Sequence, residues 1–397
     1  MYFPIRVCTP HQILRYTLQG KGWEAMLSEF PHSVFVFDEI HAYNPNLTGL
    51  TLATARYRTE HKATVMFLTV TLPTFVKEMI EAELTTIEFI QPLYSNASDT
   101  RILEQKRHTV EAIDGNILYN IQVITREAAK AGSTLVVCNH VYTAQQAYGH
   151  LKDKVKGTVL LHSRFNRRDR NQIEKSLRAS LPKVLVATQV VEVSLDLDFQ
   201  QGFTEPAAID ALVQRMGRMN RRAMQPSPVH VYIFTEQYST DNRIYSEKLR
   251  SASLKALTAS PMPLSEEALN QAADDVYGSG YTGDDLSNYK DGLNYKRLKQ
   301  FRRYLKAGTS EDWIDVVIES NEGTIELLPE PLYKQYSDLK AEGLTIAAND
   351  LLVPVGRWMI PGLIKYGRLD SETEPGSTLD PWLLKDCKYS REVGLEL

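Results

Sequence analysis

A chain of 397 residues with 43% apolar side chains is long enough for two or three domains with sizeable cores. The formal net charge of −4 excludes a protein that is basic overall, although residues 162–222 contain 11 Lys or Arg against 7 Asp or Glu. Three widely spaced cysteines, Cys8, Cys138 and Cys387, argue against a disulfide framework and predict a reducing cytoplasm. No signal peptide and no apolar run of membrane-spanning length is present in the sequence.

The chain begins with a predicted short strand at residues 5–8. Thr9 follows as a candidate N-cap, with Pro10 at the first position of a helix. The next apolar run, Val34–Phe37, leads directly into Asp38-Glu39-Ile40-His41. An uninterrupted run of this kind predicts a strand that is buried on both faces of a parallel sheet. Its polar end then lies where open α/β sheets bind ligands, unless the charges are simply solvated.

The segment that follows repeats this pattern of helix and strand. A helix is predicted near 47–60, and the strand Thr64–Leu68 ends in Thr69-Val70-Thr71. Apolar residues from Phe75 to Leu84 then recur with helical spacing. The polar stretch 91–110 is interpreted as a connector.

A second α/β unit is predicted to begin near residue 112. Its strand and helix signals alternate, which is typical of a doubly wound parallel sheet. In chain order they are a helix at 116–131, the strand Thr134–Cys138, a helix from 142, a strand at 158–161, a helix containing Ile173 and Leu177, the strand Lys183–Ala187, a helix at 207–221 and the strand Val229–Phe234.

The alternation of strand and helix signals ends after about residue 240. Residues 264–307 are predicted to be mostly helical, and residues 313–397 mix short strand signals with Pro and Gly. The helix predicted at 293–306 has six basic side chains opposite an apolar stripe, which favours packing first and a DNA or partner role second.

Four patches in the first 222 residues form a recognisable series. They are Asp38-Glu39-Ile40-His41, Thr69-Val70-Thr71, the stretch 187–199 after a predicted strand, and the stretch 214–221 near a helix end. Each is a weak motif alone, but their joint order resembles the superfamily-two helicases. That resemblance implies two RecA-like domains with ATP in the cleft between them.

The stretches 160–170, 187–199 and 212–221 narrow the resemblance to the DExH helicases of type I CRISPR systems. It implies an α/β fold of two RecA-like doubly wound parallel sheets, the first incomplete, with a C-terminal accessory α+β domain. The predicted domains are 1–111, 112–238 and 239–397. The implied activity is ATP-dependent DNA unwinding or translocation, with single-stranded DNA and an RNA-guided surveillance complex as partners and no membrane partner.

The resemblance also implies roles for individual residues. Asp38 would bind Mg²⁺, with Glu39 beside it as the catalytic base and a second candidate metal ligand. His41 would link the ATP site to the second domain. Arg218 and Arg221 would reach the γ-phosphate of ATP as arginine fingers, unless they only form a solvated helix end. The remaining nucleotide-site candidates are Asp196, which would contact the ribose or these arginines, Gln214, which would lie beside the arginines, and Arg215.

Nucleic acid would contact a second set of residues, through hydroxyls and backbone amides that bind phosphates without reading bases. The candidates are Thr9, Thr71, His140, Thr188 and Arg164. Thr9 is about as consistent with a simple N-cap, His140 with a strand-end cap, and Arg164 with a solvated charge run.

Two features of the family pattern are missing. No Gly-x-x-x-x-Gly-Lys-Ser/Thr loop occurs in the sequence, and no His-Asp pair suits a dimetal nuclease. We therefore expect a truncated or split helicase that needs a separate chain carrying the P-loop and a nuclease domain. Such a chain would leave the first sheet with exposed apolar faces. Two alternatives are another DExH helicase acting on RNA and a non-hydrolysing interaction module.

Overall fold

The computed structural model describes residues 5–17, 31–69, 72–192, 195–278, 280–294, 323–369 and 381–397. The fold groups into two compact units, one made of Met1–Leu93 and Ala273–Glu322 and the other of Tyr94–Ala272 and Gly323–Leu397. The three predicted domains divide the sequence differently and stay a prediction. The polar stretch 91–110 was interpreted as a connector, and its part from Tyr94 onward groups with the second unit.

Helices and short strands alternate through most of the described chain. The helices are α1 (Pro10–Thr17), α2 (Pro45–Glu60), α3 (Thr74–Glu83), α4 (Ala97–Leu103), α5 (Ile121–Lys130), α6 (Val141–Leu151), α7 (Arg167–Ala179), α8 (Ile209–Met216), α9 (Glu247–Ala259), α10 (Glu266–Tyr277), α11 (Gly283–Leu293), α12 (Tyr333–Ala341), α13 (Thr345–Asn349) and α14 (Ile360–Lys365). The strands are β1 (Val34–Asp38), β2 (Thr64–Leu68), β3 (His108–Ile113), β4 (Thr134–Val137), β5 (Thr158–Leu161), β6 (Val184–Ala187), β7 (Gln201–Thr204), β8 (Val229–Phe234), β9 (Thr324–Pro329), β10 (Val353–Gly356), β11 (Leu383–Leu384), β12 (Lys388–Ser390) and β13 (Gly394–Glu396).

The first unit contains a two-stranded parallel sheet in which β1 pairs with β2. Because side chains alternate along a strand, the odd-numbered residues of β1 and β2 face the helices, and the rings of Phe37 and Phe67 stack with centroids 5.7 Å apart. The opposite face carries four exposed apolar side chains, Val34, Val36, Met66 and Leu68. The prediction that β1 is buried on both faces is therefore wrong for the described chain. The exposed face matches the expectation for an incomplete first sheet.

Helix α2 is positioned by a cap at its start and by a close helix crossing in its middle. Asn44 accepts a hydrogen bond from the backbone N–H of Leu47 at 2.8 Å, which satisfies one of the free donors of the first turn. A Cβ atom at Gly49 would lie 2.3 Å from the carbonyl oxygen of Tyr289, and one at Gly292 would lie 2.1 Å from that of Asn46. Glycine at both positions therefore lets α11 approach the backbone of α2.

The second unit is built on a six-stranded sheet with the order β3-β8-β7-β4-β6-β5, in which every pairing is parallel. All residues of β4 and β6 are buried, as expected for central strands covered on both faces. The predicted α/β class is thus confirmed. Among the described residues up to Ala259, the elements that were not predicted are α4, β3, β7 and α9.

The strand predicted at residues 5–8 is wrong. These residues form no regular structure, and Ile5 and Val7 are 82% and 98% exposed. A strand needs a neighbour to satisfy its backbone groups, and the described chain offers none here. The predicted basic helix at 293–306 lies outside the described residues except for Leu293 and Asn294.

The C-terminal part of the second unit is of mixed α+β type, as predicted. Strand β9 pairs with β10 in antiparallel and with β11 in parallel orientation, and β12 and β13 form a hairpin. The hairpin is tied to the first turn of α7, because the Tyr389 hydroxyl donates to Asp169 at 2.8 Å. It is also tied to the loop after β5, because the Leu395 N–H donates to the Arg164 carbonyl at 2.9 Å. Burial under this hairpin lowers the pKa of His162 to about 3.

Two negative findings concern the described residues only. Within them, no helix has the length and apolar character needed to span a bilayer. The three cysteines are free thiols, with Cys138 buried and Cys8 exposed, in line with the expected absence of a disulfide framework.

Candidate nucleotide-binding and nucleic-acid-binding sites

Asp38 and Glu39 lie where β1 ends and the chain turns. Asp38 is the exposed last residue of the strand, and Glu39 adopts a left-handed backbone conformation with φ of 55°. The Glu39 N–H donates to the carbonyl of Leu68 at 2.8 Å, so the turn is anchored on β2. Non-glycine residues in this conformation cost about 1–3 kcal/mol and cluster at functional sites. The turn lets two adjacent carboxylates leave the same end of the sheet.

His41 connects this turn to the end of the neighbouring strand. Its side chain is 2% exposed, and Nδ1 lies 3.4 Å from Oε2 of Glu39. The same nitrogen is hydrogen-bonded to the hydroxyl of Thr69, which directly follows β2. Two of the four sequence patches are therefore joined through one imidazole. The implied link from His41 to the second domain stays a prediction.

Tyr43 adds a neutral hydrogen-bond donor beside the two carboxylates. Its hydroxyl donates to the backbone carbonyl of Asp38 at 3.1 Å. Burial raises the pKa of Tyr43 to about 12, and the charges of Asp38 and Glu39 add to the rise. The phenol therefore keeps its proton at neutral pH and holds the strand end in place.

The described residues contain no group of three or more His, Cys, Asp and Glu side chains that could hold a metal ion alone. Mg²⁺ does not require such a group, because it usually keeps several waters and binds one or two carboxylates together with substrate phosphates. Asp38 fits a site of this kind, since it is exposed at the strand end. Glu39 is engaged with His41 and fits the role of a base better than that of a ligand.

Arg215, predicted to lie near the nucleotide, is a fully buried part of the second unit. Its Nε donates to Glu192 Oε1 at 2.7 Å, Nη1 to Thr204 Oγ1 at 2.8 Å and Nη2 to Asn139 Oδ1 at 3.1 Å. Burial is the largest single influence and lowers the pKa of Arg215, but the charges of Glu192, Tyr245 and Glu205 and the hydrogen bond to Glu192 together raise it. In this placement the guanidinium organises the ends of β4 and β7, which does not favour direct contact with a nucleotide.

We expect Arg215→Met to destabilise the second unit by about 3–5 kcal/mol, because removing one partner leaves the buried Glu192 uncompensated. Hydrogen exchange of β4 and β6, followed by mass spectrometry, measures this change. Arg222→Met is the matched control, since Arg222 is 67% exposed and its loss should cost less than about 1 kcal/mol. Unchanged protection of β4 in the Arg215 variant would contradict a structural role.

The arginine cluster continues in the loop that follows α8, which ends at Met216 rather than at the predicted residue 221. Arg218 donates from Nε to the carbonyl of Val191 at 2.8 Å and from Nη2 to the carbonyl of Glu192. Nε of Arg221 lies 3.1 Å from Oδ1 of Asp196, and both side chains are partly exposed. Asp196 therefore contacts the arginines, one of its two expected roles.

The backbone explains why these patches meet. The N–H of Phe199 donates to the carbonyl of Arg218, and the N–H of Asn220 donates back to the carbonyl of Phe199, both at 2.9 Å. Asn220 makes the turn possible with φ of 45°, a conformation that Asn tolerates. Gln214, the remaining nucleotide-site candidate, is half-buried on α8. The contact of any of these residues with a nucleotide stays a prediction.

The predicted nucleic-acid contacts belong to both units and differ in exposure. Thr9 forms a capping box, because its hydroxyl accepts from the Gln12 N–H at 3.4 Å and its own N–H donates to Gln12 Oε1 at 3.1 Å. Thr188 is 3% exposed, a placement that does not present its hydroxyl to a ligand. Thr71 lies outside the described residues.

His140 and Arg164 are held by residues further along the chain. Nε2 of His140 lies 3.0 Å from the carbonyl oxygen of Asp241. Nη2 of Arg164 lies 3.5 Å from the sulfur of Met359, and burial lowers the pKa of Arg164. Arg164 is therefore half-buried against the C-terminal segment rather than part of a fully solvated charge run.

Comparison with known proteins connects these sites to a family. Residues 130–224 match the family model described as CRISPR-associated nuclease/helicase Cas3, C-terminal. The chain is 26% identical over 392 residues to the CRISPR-associated endonuclease/helicase Cas3 of Escherichia coli, covering 82% of this chain and 43% of that protein. The chain is thus similar to the Cas3 family of CRISPR-associated helicases over most of its length.

Two further Cas3 proteins are similar to this chain. The Cas3 nuclease/helicase of Methanothermobacter thermautotrophicus is 25% identical over 265 residues, covering 64% of this chain and 32% of that protein. A crystal structure of T. fusca Cas3 with AMPPNP aligns with a TM-score of 0.70 at 19% identity, over 98% of this chain and 56% of that one. The shared fold includes the RecA-like sheets and the C-terminal part. This chain spans less than half the length of the two curated Cas3 proteins.

Several residues of the Cas3-like core carry contacts that the motifs alone did not indicate. Buried Glu205 accepts hydrogen bonds from the N–H groups of Asn139 and Tyr238, both at 2.7 Å, and joins the ends of β4 and β8. Asp198 accepts from the Arg221 N–H at 2.7 Å. The sequence did offer evidence for two of these residues. Asn139 directly follows a predicted buried strand, and Asp198 lies within the stretch 187–199 that resembles a helicase motif.

Proposed function

We propose that this chain is the motor part of an ATP-dependent DNA helicase or translocase that acts in type I CRISPR interference in the cytoplasm. The observation that supports it best is the His41 imidazole between Glu39 and Thr69. A change at the carboxylates on nucleotide hydrolysis would be transmitted through this contact to the end of β2. The similarity to Cas3 helicases supports the helicase context.

In this proposal ATP and Mg²⁺ bind at the carboxyl end of β1. Asp38 holds the cation through water, and Glu39 accepts a proton from the attacking water. Arg218 and Arg221 stabilise charge on the γ-phosphate, while Asp196 and Gln214 hold these arginines. Arg215 keeps a positioning role in the core. A solved Cas3 relative from T. fusca contains ATP, which supports the choice of nucleotide.

The proposed substrate is single-stranded DNA, contacted through Thr9, Thr71, His140 and Arg164, whereas the buried Thr188 is left with a structural role. The proposed partner is an RNA-guided surveillance complex. This is supported by a solved structure of a CRISPR RNA-guided surveillance complex in a pre-nicking state, which contains a chain of the same fold with a TM-score of 0.61. Cleavage of DNA would be carried out by a nuclease domain outside these 397 residues.

Phosphate binding is the missing part of this mechanism. The sequence contains no P-loop, whose backbone N–H groups and Lys would hold the β- and γ-phosphates. We propose that a further segment, in the same protein or a separate chain, provides this loop. The exposed apolar face of Val34, Val36, Met66 and Leu68 supports the idea, because strands of that segment would cover it.

We expect residues 1–397 alone to show no DNA-stimulated ATP hydrolysis and only weak, salt-sensitive DNA binding. Co-expression with a P-loop-bearing fragment of a Cas3 relative should restore hydrolysis, because it supplies the phosphate donors and covers the open sheet face. Phosphate release with and without single-stranded DNA is the measurement.

The control fragment carries Ala in place of the P-loop Lys, which should restore solubility but not hydrolysis. RNA in place of DNA in the same assay tests the alternative substrate. Robust hydrolysis by residues 1–397 alone, abolished by Glu39→Gln, would show that the phosphates are held in another way. Failure of every combination to hydrolyse ATP would favour the non-hydrolysing interaction module.

A further inference from the structure

Trp358 is an exposed indole on a short turn at the end of β10, in the second unit. It belongs to the 3₁₀ turn Arg357–Met359, and 58% of its surface is exposed. A Cβ atom on Gly356 would lie 2.6 Å from its Nε1, so glycine at this position lets the ring lie against the strand end. A single exposed apolar side chain is ordinary on a protein surface, so the neighbours of this ring decide whether it marks a binding site.

Arg243 covers part of this ring. Its guanidinium carbon lies 3.7 Å from the centroid of the Trp358 ring, well within the range of a cation–π contact. The guanidinium is fixed by Asp241, whose two carboxylate oxygens lie 2.9 and 3.0 Å from Nε of Arg243. This pair lowers the pKa of Asp241 to about 2. The indole is therefore held in one orientation, while much of its surface remains open.

A second arginine, Arg164 in the loop after β5, contacts the same turn. Nη2 of Arg164 contacts the sulfur of Met359 at 3.5 Å, and Arg164 forms no ion pair with a carboxylate in the ranges that the structure describes. Arg164 therefore brings a positive charge, uncompensated by an ion pair, beside the residue that follows Trp358. This combination suits a ligand that has both an aromatic ring and an anionic group.

The loop that carries Arg243 also presents a second aromatic surface. Tyr238 stacks on Tyr142, with ring centroids 6.5 Å apart and planes 26° apart, and both rings are partly exposed. The loop is fixed where Asp241 accepts hydrogen bonds from Gln237 and lies within reach of His140. Tyr142 and Tyr238 follow the carboxyl ends of β4 and β8, the edge where parallel α/β sheets bind ligands.

We propose that Trp358, held by Arg243, is a base-stacking platform for single-stranded nucleic acid, with Arg164 contacting an adjacent phosphate. The inference deepens the proposed function and rests on it for the class of ligand. Exposed aromatic rings with flanking arginines bind single strands without sequence preference, because every base has a π-face. An apolar protein surface fits less well, since it would cover Arg164 without supplying a compensating anion.

The test compares two ligands of equal length and charge, without ATP. One is oligo(dT), and the other is an abasic oligomer with the same backbone. Stacking of one base contributes about 1–3 kcal/mol, so Trp358→Ala should weaken binding of oligo(dT) by about five- to hundredfold. Binding of the abasic oligomer should stay within about twofold. Arg164→Ala should instead weaken binding of both oligomers similarly and reduce the salt dependence by about one counterion.

Tyr366→Ala is the matched control. Tyr366 is 75% exposed in the same unit and has the Lys365 ammonium 5.9 Å from its ring centroid, but it lies outside this arginine-lined turn. Binding of both oligomers should be unchanged in this variant. The inference is overturned if Trp358→Ala keeps the preference for oligo(dT), if it weakens both oligomers equally, or if the unchanged chain shows no such preference. ATP hydrolysis by the assembled enzyme decides the proposed function separately.

Discussion

Replacing Arg221 with lysine is expected to lower DNA-stimulated ATP hydrolysis of the assembled enzyme by about 10³–10⁵-fold, the contribution typical of an arginine finger. Lysine keeps the charge but loses the planar fork that matches two phosphate oxygens. The side chain of Arg221 is 43% exposed, so it has room to meet a ligand. Single-turnover hydrolysis at saturating ATP measures the chemical step.

Arg222→Lys is the matched control for this prediction. Arg222 lies next to Arg221 and pairs with the same Asp196, at 3.3 Å, but has no proposed contact with ATP. Its hydrolysis rate should stay within a few-fold of the unchanged enzyme. DNA binding without nucleotide should be unchanged in both variants. An equal loss of DNA binding and hydrolysis in Arg221→Lys would instead indicate that Arg221 supports the fold.

The weak ion pair between Asp196 and Arg221 suits an arginine that must leave a carboxylate to bind a phosphate. Arg221, Arg222 and Asp196 are all substantially exposed, and exposed ion pairs contribute only about 0–1 kcal/mol. Arg221 can therefore exchange Asp196 for a phosphate at little cost. Arg218 differs, because backbone carbonyls of residues 191 and 192 already fix its guanidinium. We accordingly expect Arg221, rather than Arg218, to respond most directly to the nucleotide.

Much of the second unit could be predicted because its central strands are continuous apolar runs. The residues of β4 and β6 are fully buried, so pattern and environment agree. Strand β7 was not predicted, since it has four residues and contains Gly202, whose missing Cβ makes room for Met219. The first sheet was misjudged for a different reason. Its apolar runs predict two covered faces, but the described chain covers only one.

The candidate sites could be predicted only where their residues are close in sequence. The turn from Asp38 to His41 is local, and its contact with Thr69 joins neighbouring strands. The stacking of Arg243 on Trp358 depends instead on a fold that brings together residues more than a hundred positions apart. The burial of Arg215 could not be predicted either. Its partner Glu192 lies in the stretch 187–199, where the sequence does not distinguish a buried carboxylate from a solvated one.

Glu39→Gln is expected to lower the hydrolysis rate of the assembled enzyme by about 10²–10⁴-fold while ATP binding is kept, because the amide cannot accept a proton from water. The substitution should leave the turn intact, because the backbone of Glu39, rather than its side chain, anchors the turn on β2. We expect glutamine to adopt the same left-handed conformation, because its side chain has the size and shape of glutamate. Rapid-quench hydrolysis and nucleotide binding are measured in parallel.

His41→Gln is the control that distinguishes loss of the catalytic base from loss of the stimulation of ATP hydrolysis by DNA. The imidazole touches both Glu39 and Thr69, so its loss should reduce the stimulation of hydrolysis by DNA more than the basal rate. Glu39→Gln should reduce both rates by the same factor, because it removes the base itself. A Glu39→Gln enzyme with turnover within about twofold of the unchanged enzyme would assign the proton transfer to another group at the end of β1.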